Sequence, residues 1–76
     1  MVKLNPLGAN KNEIELSNGT TVFFSYKTPV AACMNDGSGF VRTEQKYSVT
    51  TSKHINQWLD GANAKEVPQS FLDNLT

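Results

Sequence analysis

The sequence predicts an α+β fold: an antiparallel sheet of four to five short strands, built as two consecutive hairpins and followed by two short C-terminal helices. Three features carry that expectation. Asn18-Gly19 separates two extended runs, Glu13 to Leu16 and Thr20 to Tyr26, and Asn-Gly between such runs is a strong short-range hairpin signal. A second set of turn-formers, Asn35-Asp36-Gly37-Ser38-Gly39, separates Val30 to Met34 from Phe40 to Thr43. Farther on, Ile55, Trp58 and Leu59 recur at i, i+3, i+4, the period of one helix face.

Taken in order, residues 1–12 carry Pro6, Gly8 and three asparagines without a sustained apolar period, and read as an irregular N-terminal arm pinned by Leu4 and Leu7. Glu13-Ile14-Glu15-Leu16 then alternates polar and apolar. A two-residue type I′ turn at Asn18-Gly19 would place Leu16 opposite Thr21 and Ile14 opposite Phe23, leaving Glu13 and Glu15 on a wet face. Thr20 to Tyr26 is apolar on both faces, as an interior strand is. Pro29 interrupts the extended pattern before a third strand, Val30 to Met34, because proline removes a ladder donor. Phe40 to Thr43 continues the second hairpin, and Lys46 to Val49 alternates as a short fifth strand.

Thr50-Thr51-Ser52 reads as the entry of the first helix, its hydroxyls able to accept from the unpaired N–H groups of a first turn. Asp60-Gly61 closes that helix, Gly61 suiting the left-handed position beyond its end. A linker over 62–66 leads to the second helix, with Pro68 at its first position and Phe71, Leu72 and Leu75 on its buried side.

Seventy-six residues suffice for one small core, so 1–76 reads as a single domain. Seven basic and seven acidic side chains balance, and the charge does not argue for a general nucleic-acid or membrane binder. No stretch approaches the ~20 apolar residues that cross a bilayer, and no secretory leader pattern opens the chain, so a cytoplasmic location is expected. The one cysteine, Cys33, lies in an apolar run and reads as a small buried hydrophobe in a reducing compartment. One Cys and one His without neighbouring ligands give no metal site, and no cofactor is implied.

No catalytic constellation is visible: Gly37-Ser38-Gly39 lacks the lysine, parallel strand and helix of a phosphate loop, and no nucleophile motif occurs. The chain therefore reads as a non-enzyme. The segment from Arg42 to Gln57 is the richest in binding chemistry. Arg42, Lys46, Tyr47, Thr50, Thr51, Ser52, Lys53 and His54 bring cations, hydroxyls and a helix entry together, a set able to hold a phosphate or carboxylate. The competing reading of the same residues is ordinary helix capping beside a solvated face.

Thr28-Pro29-Val30-Ala31-Ala32, the stretch Lys46-Tyr47-Ser48-Val49-Thr50-Thr51-Ser52-Lys53-His54-Ile55, and Trp58-Leu59 together resemble a family of small proteins from bacteriophages and environmental phage genomes. The resemblance covers roughly residues 13–60 and leaves out the arm and the last helix. It implies an accessory protein acting inside an infected bacterium, and since that family comes without an assigned activity it carries over no catalytic residue. The resulting expectation is a protein-binding module that contacts a host or phage protein, or a second copy of itself, through a sheet edge or the helix face bearing Lys53, His54 and Gln57. The alternative is nucleic-acid or phosphate-ligand binding through Arg42 to His54.

Overall fold

A computed structural model describes residues 3–8, 10–35, 37 and 39–75. Its fold is α+β, with a mixed, mostly antiparallel six-stranded sheet and two short helices. The elements are β1 (Lys3–Gly8), β2 (Lys11–Glu15), β3 (Thr21–Ser25), β4 (Thr28–Cys33), β5 (Phe40–Thr43), α1 (Val49–Leu59), β6 (Ala64–Val67) and α2 (Gln69–Asp73). Spatial order follows chain order, β1 to β6. Each strand turns back on its predecessor until β5, where α1 carries the chain across the sheet and sets β6 parallel to β5.

The expected first hairpin forms, in a different register. Glu15 pairs with Thr21, Ile14 with Val22 and Glu13 with Phe23, one position away from the arrangement a two-residue turn would give. The cause is the loop length. Gly19 N–H donates to the Leu16 carbonyl and Leu16 N–H to the Thr20 carbonyl, so three residues, Ser17 to Gly19, make the turn. Gly19 sits at φ +90°, the left-handed residue of a type I turn with a bulge. A one-residue slip exchanges faces. Glu13 accordingly lies beneath α1, not on a wet face.

Further expectations are corrected. The N-terminal arm is not irregular: Lys3–Gly8 is a strand, pairing Leu4 with Ile14 and Asn5 with Glu13. Its polar and proline residues hid it because an outermost strand tolerates both. Lys46 to Ser48 is irregular and Val49 is already helical, so there is no fifth strand there. The cap is Ser48, not the Thr50-Thr51-Ser52 group; its hydroxyl accepts from Thr51 N–H at 3.1 Å. The 62–66 linker contains most of β6, and α2 begins at Gln69 with Pro68 as its cap and Phe71 exposed. Asp36 and Ser38 of the expected Asn35 to Gly39 loop lie outside the described residues, as do Met1, Val2 and Ala9 of the expected arm.

Pro29 does not end the extended pattern but sits inside β4. There Phe23 faces Ala31 and Phe24 faces Pro29, leaving Val30 as the extra residue of a bulge. β5 reaches only Ala31, Ala32 and Cys33, so the missing proline donor falls where β4 has no second neighbour. Cys33 is half-buried and free.

Both faces of the sheet are covered. Strand alternation sends Val22, Ala32, Val41 and Val67 to one face, where Leu72 of α2 closes an apolar core. Phe23 and Ala31 point the other way, with Val30 at the bulge, and pack against Ile55 and Leu59 of α1. Val30, Ala31 and Ala32 are consecutive and all wholly buried, which a strand with only one dry face does not permit. No helix among the described residues is long and apolar enough to cross a membrane.

Candidate functional site

Helix α1 docks on the sheet through its Thr51, Ile55, Leu59 stripe, all three buried. That leaves two flanks. His54 and Trp58, four residues apart, face the β1–β2 side, while Ser52 and Asn56 face β5 and β6. One sequence segment therefore lines two separate cavities. Six of the eight expected site residues divide between them.

On the β5–β6 flank, Arg42, Lys46, Tyr47, Thr51 and Ser52 border a concavity of about 310 Å³. Its positive character is largely offset, because Glu44 and Glu66 border it too and Glu66 is the cross-strand neighbour of Arg42. Arg42 Nη1 reaches Asn56 Oδ1 at 3.3 Å. The helix start is also engaged, since the Ser48 hydroxyl caps Thr51 N–H. Burial, and after it the carboxylate of Asp73, push the Tyr47 phenol above its ordinary 10.0. Thr50 and Lys53 are exposed and border neither cavity.

The other flank holds a more organised arrangement. An open cleft of about 350 Å³ lies between α1 and the β1–β2 hairpin, with Phe23 as floor, Leu7, Lys11 and Glu13 on the sheet side and His54, Gln57 and Trp58 on the helix side. Two rungs of the sheet line up with two helix positions. On one rung Glu13 faces Phe23. Trp58 covers that rung, stacked on Phe23 with centroids 5.1 Å apart and donating its indole N–H to Glu13 Oε1 at 2.8 Å. Phe40 meets the same indole edge-on at 5.8 Å. On the next rung Lys11 faces Ser25, and His54 covers it with Nδ1 at 3.0 Å from Ser25 Oγ.

A line of hydroxyls, buried at Ser25 and Thr51 and exposed at Ser48, stands behind His54. Ser25 Oγ is 3.5 Å from Thr51 Oγ1, and Ser48 Oγ donates to Thr51 Oγ1 at 3.2 Å. The line runs from the imidazole toward the cap of α1, with Ser25 as the direct partner of the ring. Tyr26, held at φ +59°, sets its ring 6.1 Å from that of His54.

Ser25 beside His54 has the spacing of a nucleophile and its base, with Ser25 only 2% exposed. No group of three or more His, Cys, Asp or Glu side chains among the described residues could hold a metal ion. Sequence reasoning placed His54 and Gln57 on a binding face and missed Leu7, Lys11, Glu13 and Trp58 as its companions. The available signal was the alternation Lys11, Glu13, Glu15 on one face of a strand; it was lost when Lys11 was assigned to an irregular arm.

Comparison with curated proteins and with solved structures found no match. Residues 2–74 match the model of a family of unknown function, DUF8033, and since that match spans nearly the whole sequence, the chain belongs to this family.

Proposed function

We propose that this chain is a small non-enzymatic binding module that recognises another protein through the cleft between α1 and the β1–β2 hairpin, in the cytoplasm of a phage-infected bacterium. The setting is supported by the resemblance carried by residues 13–60. The cleft is supported by one observation above the rest: His54, Trp58 and Glu13 are each fixed by a specific partner on regular elements while lining an open, aromatic-floored depression. Side chains immobilised before binding lose little entropy when a partner arrives.

The sheet edges are the competing surface, and both are blunted. β1 contains Pro6, which has no N–H to offer an added strand, and β6 presents Lys65 and Glu66 exposed and is followed by Pro68. Strand addition is thus the weaker mode. The nucleic-acid reading is weakened by Glu44 and Glu66 among the cations of the Arg42 concavity; salt-sensitive oligonucleotide binding in fluorescence anisotropy would revive it.

The test compares affinity capture from bacterial lysate by the parent chain and by Gln57→Trp, which fills the cleft from an exposed helix position without adding charge, with light scattering on each complex. A partner held by the parent and lost by Gln57→Trp, but kept by Lys65→Ala at the far edge, is the expected result. Equal capture by all three would remove the cleft from the account.

A further inference from the structure

We infer that the partner group seated in the cleft is the carboxylate of an aspartate or glutamate side chain, held at the end formed by Lys11, His54 and Gln57. The inference rests on the reading of the cleft as a protein-binding surface and adds the chemistry of its occupant.

The two ends of the cleft differ in what they leave unspent. At the Trp58 end the polar groups satisfy each other, since the indole N–H and Glu13 Oε1 form a charge-assisted bond of 2.8 Å. At the other end Lys11, His54 and Gln57 border the open cleft. Ser25 Oγ has one proton and two neighbours, His54 Nδ1 at 3.0 Å and Thr51 Oγ1 at 3.5 Å. A hydroxyl donor reaches the nearer acceptor, and 3.5 Å lies beyond the normal O–H···O range. With that proton on the Nδ1 contact, the shorter of the two, the neutral imidazole carries its hydrogen on Nε2. If the ring gains a proton, Ser25 Oγ accepts from Nδ1 and turns its own hydrogen toward Thr51. In these two states Nε2, the nitrogen Ser25 leaves free, is a donor.

Lys11 stands on the same rung as Ser25 and carries an ammonium with donors only, and Gln57 adds an amide one helical turn from His54. An acceptor with negative charge complements this end. Glu13 is the opposing charge nearest along the strand, two residues away, about 7 Å at a strand's rise. Glu13 carries its charge at the Trp58 end, where its Oε1 accepts the indole N–H. Leu7, 44% exposed at the rim, meets an apolar residue beside the acid.

The experiment titrates isotope-labelled protein with a blocked peptide of one aspartate between two leucines, and with its asparagine counterpart, following His54 imidazole, Gln57 amide and Trp58 indole resonances. The aspartate peptide is expected to shift the His54 and Gln57 signals and to bind about ten-fold tighter than the asparagine peptide, the margin of a charge-assisted over a neutral hydrogen bond. Lys11→Met, with its fold checked by the amide spectrum, abolishes that margin, and Lys11→Arg keeps it. Equal binding of both peptides at the cleft overturns the carboxylate and leaves the protein-binding cleft standing. Shifts confined to residues around Arg42 and Ser52 overturn it in favour of the other concavity. Absence of any shift with either peptide up to solubility overturns both.

Discussion

The two faces of the sheet are covered by helices that do different work. Below α2, contact is almost entirely apolar: Val22, Ala32, Val41, Val67 and Leu72 close against one another, and the main polar tie is Gln69 donating to the Pro29 carbonyl at 2.7 Å. Below α1, apolar packing by Phe23, Ile55 and Leu59 is threaded with polar contacts to Ser25, Glu13 and Arg42. A five-residue helix cannot stand alone, so α2 exists by virtue of the surface it buries. The polar contacts of α1 each contribute little net stability in exchange for water, but they fix where side chains point. Both faces supply stability, and the α1 face adds orientation.

Core truncation should separate the faces most sharply. Leu72→Ala, at a wholly buried position, should cost about 2–5 kcal/mol in chemical denaturation while leaving the folded-state fluorescence of the single tryptophan unchanged. Phe23→Ala should cost about 3–5 kcal/mol and also alter that fluorescence, because Phe23 is the ring under Trp58. If Leu72→Ala moved the Trp58 signal as much, the faces would not be independent.

The hydrogen-bonded side should respond less in stability. Ser48→Ala should lose about 1 kcal/mol with the cap of α1, measured by the same denaturation. Gly19→Ala should lose a comparable amount, about 1 kcal/mol, since φ +90° strains an L side chain and its Cβ would stand 2.9 Å from Asn35 Cγ. Glu13→Gln should cost less than about 1 kcal/mol and yet move the Trp58 indole N–H resonance, a change of orientation without a matching change of stability.

The smallest effect is a pH dependence. Because the Tyr47 phenol is raised in the fold, the neutral form is preferred there; its contribution is complete below the ordinary 10.0 and is lost as pH climbs through the raised value. Stability should thus decline somewhat above that pH, and Tyr47→Phe should flatten the decline.

What the sequence disclosed follows the same division. The i, i+3, i+4 spacing of Ile55, Trp58 and Leu59 located α1, and the β-branched and aromatic run from Thr21 to Ser25 located an interior strand, because apolar periodicity is the direct imprint of burial. Edge strands leave a weaker imprint. β1 and β6 have one neighbour each, tolerate Pro6, Lys65 and Glu66, and so read as arm and linker. The cleft was illegible for a related reason: pairing Glu13 with Trp58 required the register of the first hairpin, and Asn-Gly fits a two-residue turn and the Ser17 to Gly19 turn alike. His54 was visible as the only histidine, but Ser25, its partner 29 residues earlier, had no local signature.

The aim of His54 at the cleft is read most directly from the state of its ring. A long-range proton–nitrogen correlation spectrum at neutral pH should show the His54 imidazole with its hydrogen on Nε2 and Nδ1 as an acceptor, and Ser25→Ala should broaden or shift that pattern. A hydrogen found on Nδ1, or a spectrum indifferent to the loss of the Ser25 hydroxyl, would contradict the claim that the buried hydroxyls aim His54 at the cleft.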